Sequence, residues 1–222
     1  MKRIVFGLAI AIMAVTQLQA DVFINELRIS QPSTDTDNFI ELAGDPNESL
    51  AGMTLLTVSG EFEPGLIEFA YDLDSFLIPT DGFFLAHQTD VNADLVTGDD
   101  YFGSPTNFLL VRDFTGAVSD DIDTDNDGVA DTTPWSSVVD GVFLFDGDAN
   151  PDFAYGGSTP VGPDGNFAPA HVFRFENSTG GWNIGSFSDL GNDTPGFANV
   201  PEPGAVAFTL LTIGGLLVRR RK

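Results

Sequence analysis

Between residues 21 and 199 the apolar positions come in short runs that alternate with polar ones, and spacers rich in Gly, Pro, Asp and Asn separate them. That is the pattern of half-buried β-strands. The first pair sits in DVFINELRISQPSTDTDNFIELAG, residues 21–44. A period of two puts Phe23, Leu27 and Ile29 on one side of the first run, and Ile40 and Leu42 on one side of the second. Further strands are predicted over 52–59, 66–71, 76–78, 83–87, 108–111, 138–145 and 171–175. The strand over 52–59 is apolar on both sides, with Met53, Leu55 and Thr57 against Thr54, Leu56 and Val58. Residues 79–82, Pro-Thr-Asp-Gly, read as a turn. An apolar period of 3.6 residues is sustained only at the two ends of the chain, so the part between them is predicted to be all-β.

Composition sharpens this picture. No cysteine occurs in 222 residues, which removes disulfide and thiol chemistry. The formal net charge of −24 understates the acidity of the middle, because basic residues crowd the ends. Between residues 21 and 200 only Arg28, Arg112 and Arg174 face 32 acidic residues, a net −29. Such a field repels nucleic acid and anionic lipid. Twenty phenylalanines argue against a disordered acidic tail.

The ends read as targeting devices. Lys2 and Arg3, the apolar run 4–15 and the small Ala20 form a secretory signal peptide over residues 1–20. At the other end Val200-Pro201-Glu202-Pro203 precedes an apolar run over 204–218, and Arg219, Arg220, Arg221 and Lys222 close the chain. That run suits a transmembrane helix whose basic end stays in the cytoplasm. Residues 200–222 resemble the PEP-CTERM sorting signal. The resemblance implies a Gram-negative, exopolysaccharide-producing bacterium, export across the inner membrane and processing by an exosortase at this segment. A stable single-pass anchor is the alternative.

The strongest local chemistry lies in DIDTDNDGVADTT, residues 121–133. Asp123, Asp125 and Asp127 place oxygens at positions one, three and five of a loop, Gly128 at six, the Val129 carbonyl at seven and Asp131 at nine. An oxygen array of this spacing suits Ca²⁺. Position twelve is Pro134, not glutamate, so a bidentate ligand has to come from elsewhere, such as Asp120 or Asp121, or be absent. The loop resembles the calcium loops of thrombospondin type-3 repeats; a solvated acidic linker is the alternative. Asp146, Asp148, Asp152 and Asp164 offer a second acidic group by composition alone.

FINELRIS and NFIELAG near the start, GMTLLTVSG, DGFFLAH and DGVFLFDGD in the middle and NDTPGFAN near the end together resemble the lamin-tail domain. That resemblance implies an immunoglobulin-like β-sandwich over residues 21–199, here with long acidic loop insertions. Catalysis finds little footing: His87 and His171 are the only histidines, each at a strand end where a structural role is expected, and no cysteine or G-x-S-x-G nucleophile is present. Glu26 and Glu41 repeat within the opening motif and are expected to order turns or backbone donors. The expectation is a non-enzymatic surface or matrix protein whose partners are an exosortase and an exopolysaccharide or cell-surface protein. A carbohydrate- or small-ligand-binding module comes second and a secreted hydrolase third.

Overall fold

The computed structural model describes residues 22–101, 105–188, 190 and 193–200. The expected signal peptide over residues 1–20 and the expected helix of the sorting segment lie outside these residues.

Among the described residues, eleven strands form two sheets. The first runs β11 (Gly181–Ile184), β10 (His171–Phe175), β1 (Phe23–Arg28), β2 (Phe39–Ala43), β5 (Phe83–His87) and β6 (Leu95–Val96). The second runs β4 (Ile67–Asp72), β3 (Met53–Ser59), β7 (Thr106–Arg112), β8 (Ser137–Leu144) and β9 (Thr159–Val161). Each sheet is mixed: β6 adds parallel to β5 and β9 parallel to β8. Both remain open, so the fold is a β-sandwich rather than a barrel.

The core lies between the sheets. Ile24, Leu27, Ile40, Leu42, Phe84, Ala86 and Val172 come from the first, and Leu55, Phe108, Leu110, Val142 and Leu144 from the second. Burying each large side chain stabilises by about 1.5–3 kcal/mol. A second apolar layer covers the outer face of the second sheet, where Leu56, Val58, Ile67, Leu109 and Val111 meet Ile122 and Tyr155 from the long loops. This explains why β3 is apolar on both sides: each face has its own layer. Those loops are therefore a third layer of the fold, not appendages.

Several expectations need correction. Phe23 does not share a face with Leu27, because the β1–β2 register slips between Ile24 and Glu26. Asn25 is the extra residue of a bulge, which turns both Ile24 and Leu27 inward and leaves Phe23 outside the core. Residues 76–78 do not form a strand; they are held by a single bridge between Ser49 and Leu77. The stretches 92–101 and 147–169, where no strand is predicted, each contain a short parallel strand, β6 and β9. The turn predicted at residues 79–82 is present, closed by the Gly82 amide, which donates to the Pro79 carbonyl at 3.0 Å.

Asp140 and Arg174 join the sheets across the core. Arg174 Nη2 reaches both Asp140 oxygens at 3.0 Å, and its guanidinium carbon stands 4.5 Å from the Trp182 ring centroid. Where the bulge separates Ile24 from the β1–β10 ladder, this pair takes over. The Ile24 amide donates to Asp140 at 2.9 Å, and Arg174 Nε donates to the Ile24 carbonyl at 2.9 Å.

Candidate functional site

The acidic loop is fixed at its base by backbone bonds to the segment that leads into β4. The Ser119 amide donates to the Ile67 carbonyl at 2.8 Å, the Ile67 amide to Asp120 at 2.9 Å and the Ile122 amide to Gly65 at 3.0 Å. Ile122 plugs into the outer apolar layer, and its carbonyl accepts the Asp131 amide at 2.7 Å. Those two contacts close the loop into a ring of fixed size. Inside it Asn126, at φ +57°, and Gly128, at φ +85°, take left-handed conformations. Phe153 packs so closely on Gly128 that a Cβ there would sit 2.3 Å from the ring.

This fold brings three of the expected ligands together. Carboxylate oxygens of Asp123, Asp125 and Asp131 lie within 4.8 Å of one another. Asp123 is fully buried. Its Oδ2 accepts the Tyr155 hydroxyl at 2.6 Å and the Gly128 amide at 2.8 Å, and its Oδ1 accepts the Asp127 amide at 3.2 Å. Burial pushes the Asp123 carboxyl up, but these donors win and hold it below the usual range. Asp125 goes the other way: the charge of Asp127, then desolvation and Asp131, raise it. Asp131 Oδ2 accepts the Thr124 amide at 2.9 Å.

Asp127 stands outside the cluster, its Oδ1 accepting the Val129 amide at 2.8 Å in a short local turn. The Val129 side chain is exposed. Asp121 Oδ1 accepts the Asp123 amide at 2.9 Å and Asp120 Oδ2 the Ala117 amide at 2.7 Å, so both outlying acids order backbone. Three carboxylates, one of them already oriented by its donors, suit a hard divalent cation.

A second acidic group forms beside β8. Asp152 is pushed up to about 6 by burial and by the charges of Asp146, Glu61 and Asp148. Asn150 bridges Glu61 and Asp148 through Nδ2 at 2.7 and 2.8 Å. Glu61 belongs to this group, which spacing alone did not show, because it arrives from the end of β3. Asp164 instead pairs with Phe167 in a tight hairpin turn, through backbone bonds of 2.9 and 3.2 Å, bordering a pocket of about 400 Å³. Phe167, Phe187, Ile29 and Ala168 also line that pocket.

The opening and closing motifs meet on the outer face of the first sheet. Glu26 Oε1 accepts the Thr194 amide at 3.0 Å and faces His171 Nε2 at 2.8 Å, and Glu26 Oε2 accepts the Thr194 hydroxyl at 2.6 Å. Glu41 accepts Asn25 Nδ2 at 2.7 Å and the Gly196 amide at 2.6 Å. Asn199 Nδ2 donates to the carbonyls of Arg174 at 2.8 Å and Asn25 at 3.3 Å. Arg28 grips Asp193, which also lies 3.3 Å from His171 Nδ1. Glu26, His171 and Asp193 thus form a second group with cation-binding geometry. All three are engaged with protein partners, and His171 has no exposed surface. His87 is buried at the end of β5; its Nδ1 accepts the Thr89 and Asp90 amides at 3.1 Å each, and burial lowers its pKa.

Compared with known proteins, the chain matches no family model, no curated protein sequence and no solved structure.

Proposed function

We propose that this chain is an exported, non-enzymatic protein of the cell surface or extracellular matrix. In this reading it is an immunoglobulin-like sandwich of lamin-tail type whose loop over residues 121–131 takes Ca²⁺, and an exosortase processes it at Val200-Pro201-Glu202-Pro203 and the helix that follows. The observation that carries the calcium part is the convergence of Asp123, Asp125 and Asp131 within 4.8 Å in a loop whose base is already built into the fold. Asp123 Oδ1 accepts one long amide bond and keeps a lone pair for a cation. With no glutamate at position twelve, affinity falls in the range of extracellular modules, about 10⁻⁴–10⁻³ M. Calorimetric titration with Ca²⁺, with Mg²⁺ as control, tests this; no heat and no rise in melting temperature at millimolar Ca²⁺ would remove it.

Support for the lamin-tail reading comes from the way the opening and closing motifs lock together around Glu26 and Glu41. Processing is tested by the intact mass of the surface or secreted form. A mass that still includes Lys222 would leave a plain anchor.

One observation favours a second reading, a module that binds a carbohydrate or another small ligand. Phe167 is 76% exposed, yet it stands on a turn fixed by two backbone bonds, beside the pocket and the Asp164 carboxylate. An aromatic face held rigidly next to an acceptor can stack on a sugar ring. A glycan-binding screen, repeated with Phe167→Ala, separates the two readings.

A further inference from the structure

Three strands of the first sheet end on amide side chains at the same end of the sandwich. Ile29, Ile40 and Ala86 belong to the core, and two residues beyond each, by the strand period, come Gln31, Asn38 and Gln88. All three are at least nine-tenths buried, at 8%, 0% and 9% exposure. The backbone keeps Asn38 and Gln88 in register, since the Gln88 amide donates to the Asn38 carbonyl at 2.8 Å, and the Gly98 amide in turn donates to the Gln88 carbonyl at 3.1 Å.

Their donors and acceptors do not balance. Asn38 Nδ2 is spent on Asp100 Oδ1 at 2.8 Å, and Gln31 Nε2 on the Thr34 carbonyl at 2.7 Å. These bonds fix which way each amide points. Asn38 Oδ1, Gln31 Oε1 and Gln88 Oε1 are then left buried with no hydrogen-bond donor, and so are both carboxylate oxygens of Asp35. Burial pushes the Asp35 carboxyl up, and the charge of Asp100 pushes the same way. Ser30, the Gln31 amide and Arg28 offset part of this, although neither Ser30 nor Gln31 makes a bond of good geometry with Asp35. No lysine lies between residues 21 and 200 to neutralise the group, and Arg28 is committed to Asp193.

Two carboxylates and three buried amide oxygens without a donor, two of them oriented by the bonds of Asn38 and Gln31, are what a hard cation requires. We propose that Gln31, Asp35, Asn38, Gln88 and Asp100 form a Ca²⁺ site that ties the loop over residues 31–37 and the loop over residues 97–101 to the end of the first sheet. The site is separate from the loop over residues 121–131, which packs on the outer face of the second sheet. Ca²⁺ suits it better than Mg²⁺, because amide and carboxylate oxygens drawn from four segments meet a flexible coordination sphere more readily than a strict octahedron.

The test is calorimetric Ca²⁺ titration and thermal melting of the full-length chain carrying Asp123→Asn and Asp125→Asn, which silences the other loop. The expected result is that one binding event and a Ca²⁺-dependent rise in melting temperature persist in that background. Adding Asp35→Asn should weaken binding by about tenfold or more, since even outer partners of a metal site cost about 10–100-fold. Asn38→Ala, which leaves the charge unchanged, should weaken it in the same direction and decides the matter if the Asp35 variant fails to fold. The proposal is overturned if the folded background protein binds no Ca²⁺, or binds it equally well with Asn38→Ala. It is equally overturned if Asp35→Asn raises the melting temperature while Ca²⁺ affinity stays the same, which would mark Asp35 as a buried neutral acid.

Discussion

The backbone amide of Gly196 donates to Glu41 Oε2 at 2.6 Å, across 155 positions of the chain. Gly196 occupies the third place of a turn over residues 194–197, at φ +79°, with Pro195 before it and the Phe197 amide bonded back to the Thr194 carbonyl at 2.8 Å. This is a type II turn, and its exposed-looking TPGF sequence aims a donor at a buried acid. The closing segment is therefore a strap whose seat is the second strand.

Glu41 should make stability fall as pH rises. Burial, then the charge of Glu26, pushes its carboxyl from the usual 4.5 up to about 8, against the opposing bonds from Asn25 and Gly196. Between those two values the folded state holds a proton that the unfolded chain has released. Glu41's contribution is thus complete below the unfolded value and lost as pH climbs through the folded one, with a slope of at most about 1.4 kcal/mol per pH unit. Denaturant melts between about pH 5 and pH 9 measure the slope. Replacing Glu41 by Gln should flatten it; an unchanged slope would assign the titration to another group.

Gly196→Ala should cost about 1–2 kcal/mol through backbone strain alone. The space around a Cβ at this position is open, so no clash contributes. Asn, which tolerates the left-handed region, should cost less than Ala. Equal melting temperatures for all three would mean that the strap is not held in the native state.

Asp140→Ala removes the partner of Arg174 and the acceptor of the Ile24 amide in one step. Breaking a largely buried pair while one charge remains costs about 3–5 kcal/mol. The two side chains keep 10–15% of their surface in water, which places the cost at the lower end. In a double-mutant cycle with Arg174→Met the double variant should recover part of this loss. Strict additivity would show that the pair is not coupled.

The strands were legible because each is a short apolar run bounded by turn residues; β2, β3, β5, β7, β8 and β10 fall near their expected places. The bulge was not. Nothing local distinguishes Asn25 from any polar strand residue, and its reason lies in bonds to Glu41 at 2.7 Å and to the distant Ser178 amide at 2.8 Å. The short strands β6 and β9 were hidden for a related cause, since parallel addition to an edge needs only two or three residues. The outer apolar layer went unseen because Ile122, Phe153 and Tyr155 are scattered singly among aspartates and glycines. Of the candidate ligands that spacing grouped, the fold brings Asp123, Asp125 and Asp131 within 4.8 Å of one another, while the Asp127 carboxylate turns back onto its own chain.

That difference yields a direct comparison within the acidic loop. If position in the sequence decided ligation, Asp125 and Asp127 would be equivalent, two residues apart in a repeating pattern. In the folded loop Asp125 shares the cluster with Asp123 and Asp131, while Asp127 caps the Val129 amide. Asp125→Asn should therefore weaken Ca²⁺ binding more than Asp127→Asn, although both remove one unit of charge. Asp125→Asn should also leave the Ca²⁺-free protein no less stable, because Asp127 and Asp131 already raise the pKa of Asp125. Tyr155→Phe offers a third comparison. It removes the hydroxyl that holds Asp123 Oδ2 at 2.6 Å but no charge, so it should loosen the loop and lower affinity without changing the number of carboxylates. Titration calorimetry of the three variants, each checked for strand content by far-ultraviolet circular dichroism, gives the order. Equal losses for Asp125→Asn and Asp127→Asn would mean that the cation responds to the loop's total charge and not to the three-carboxylate geometry.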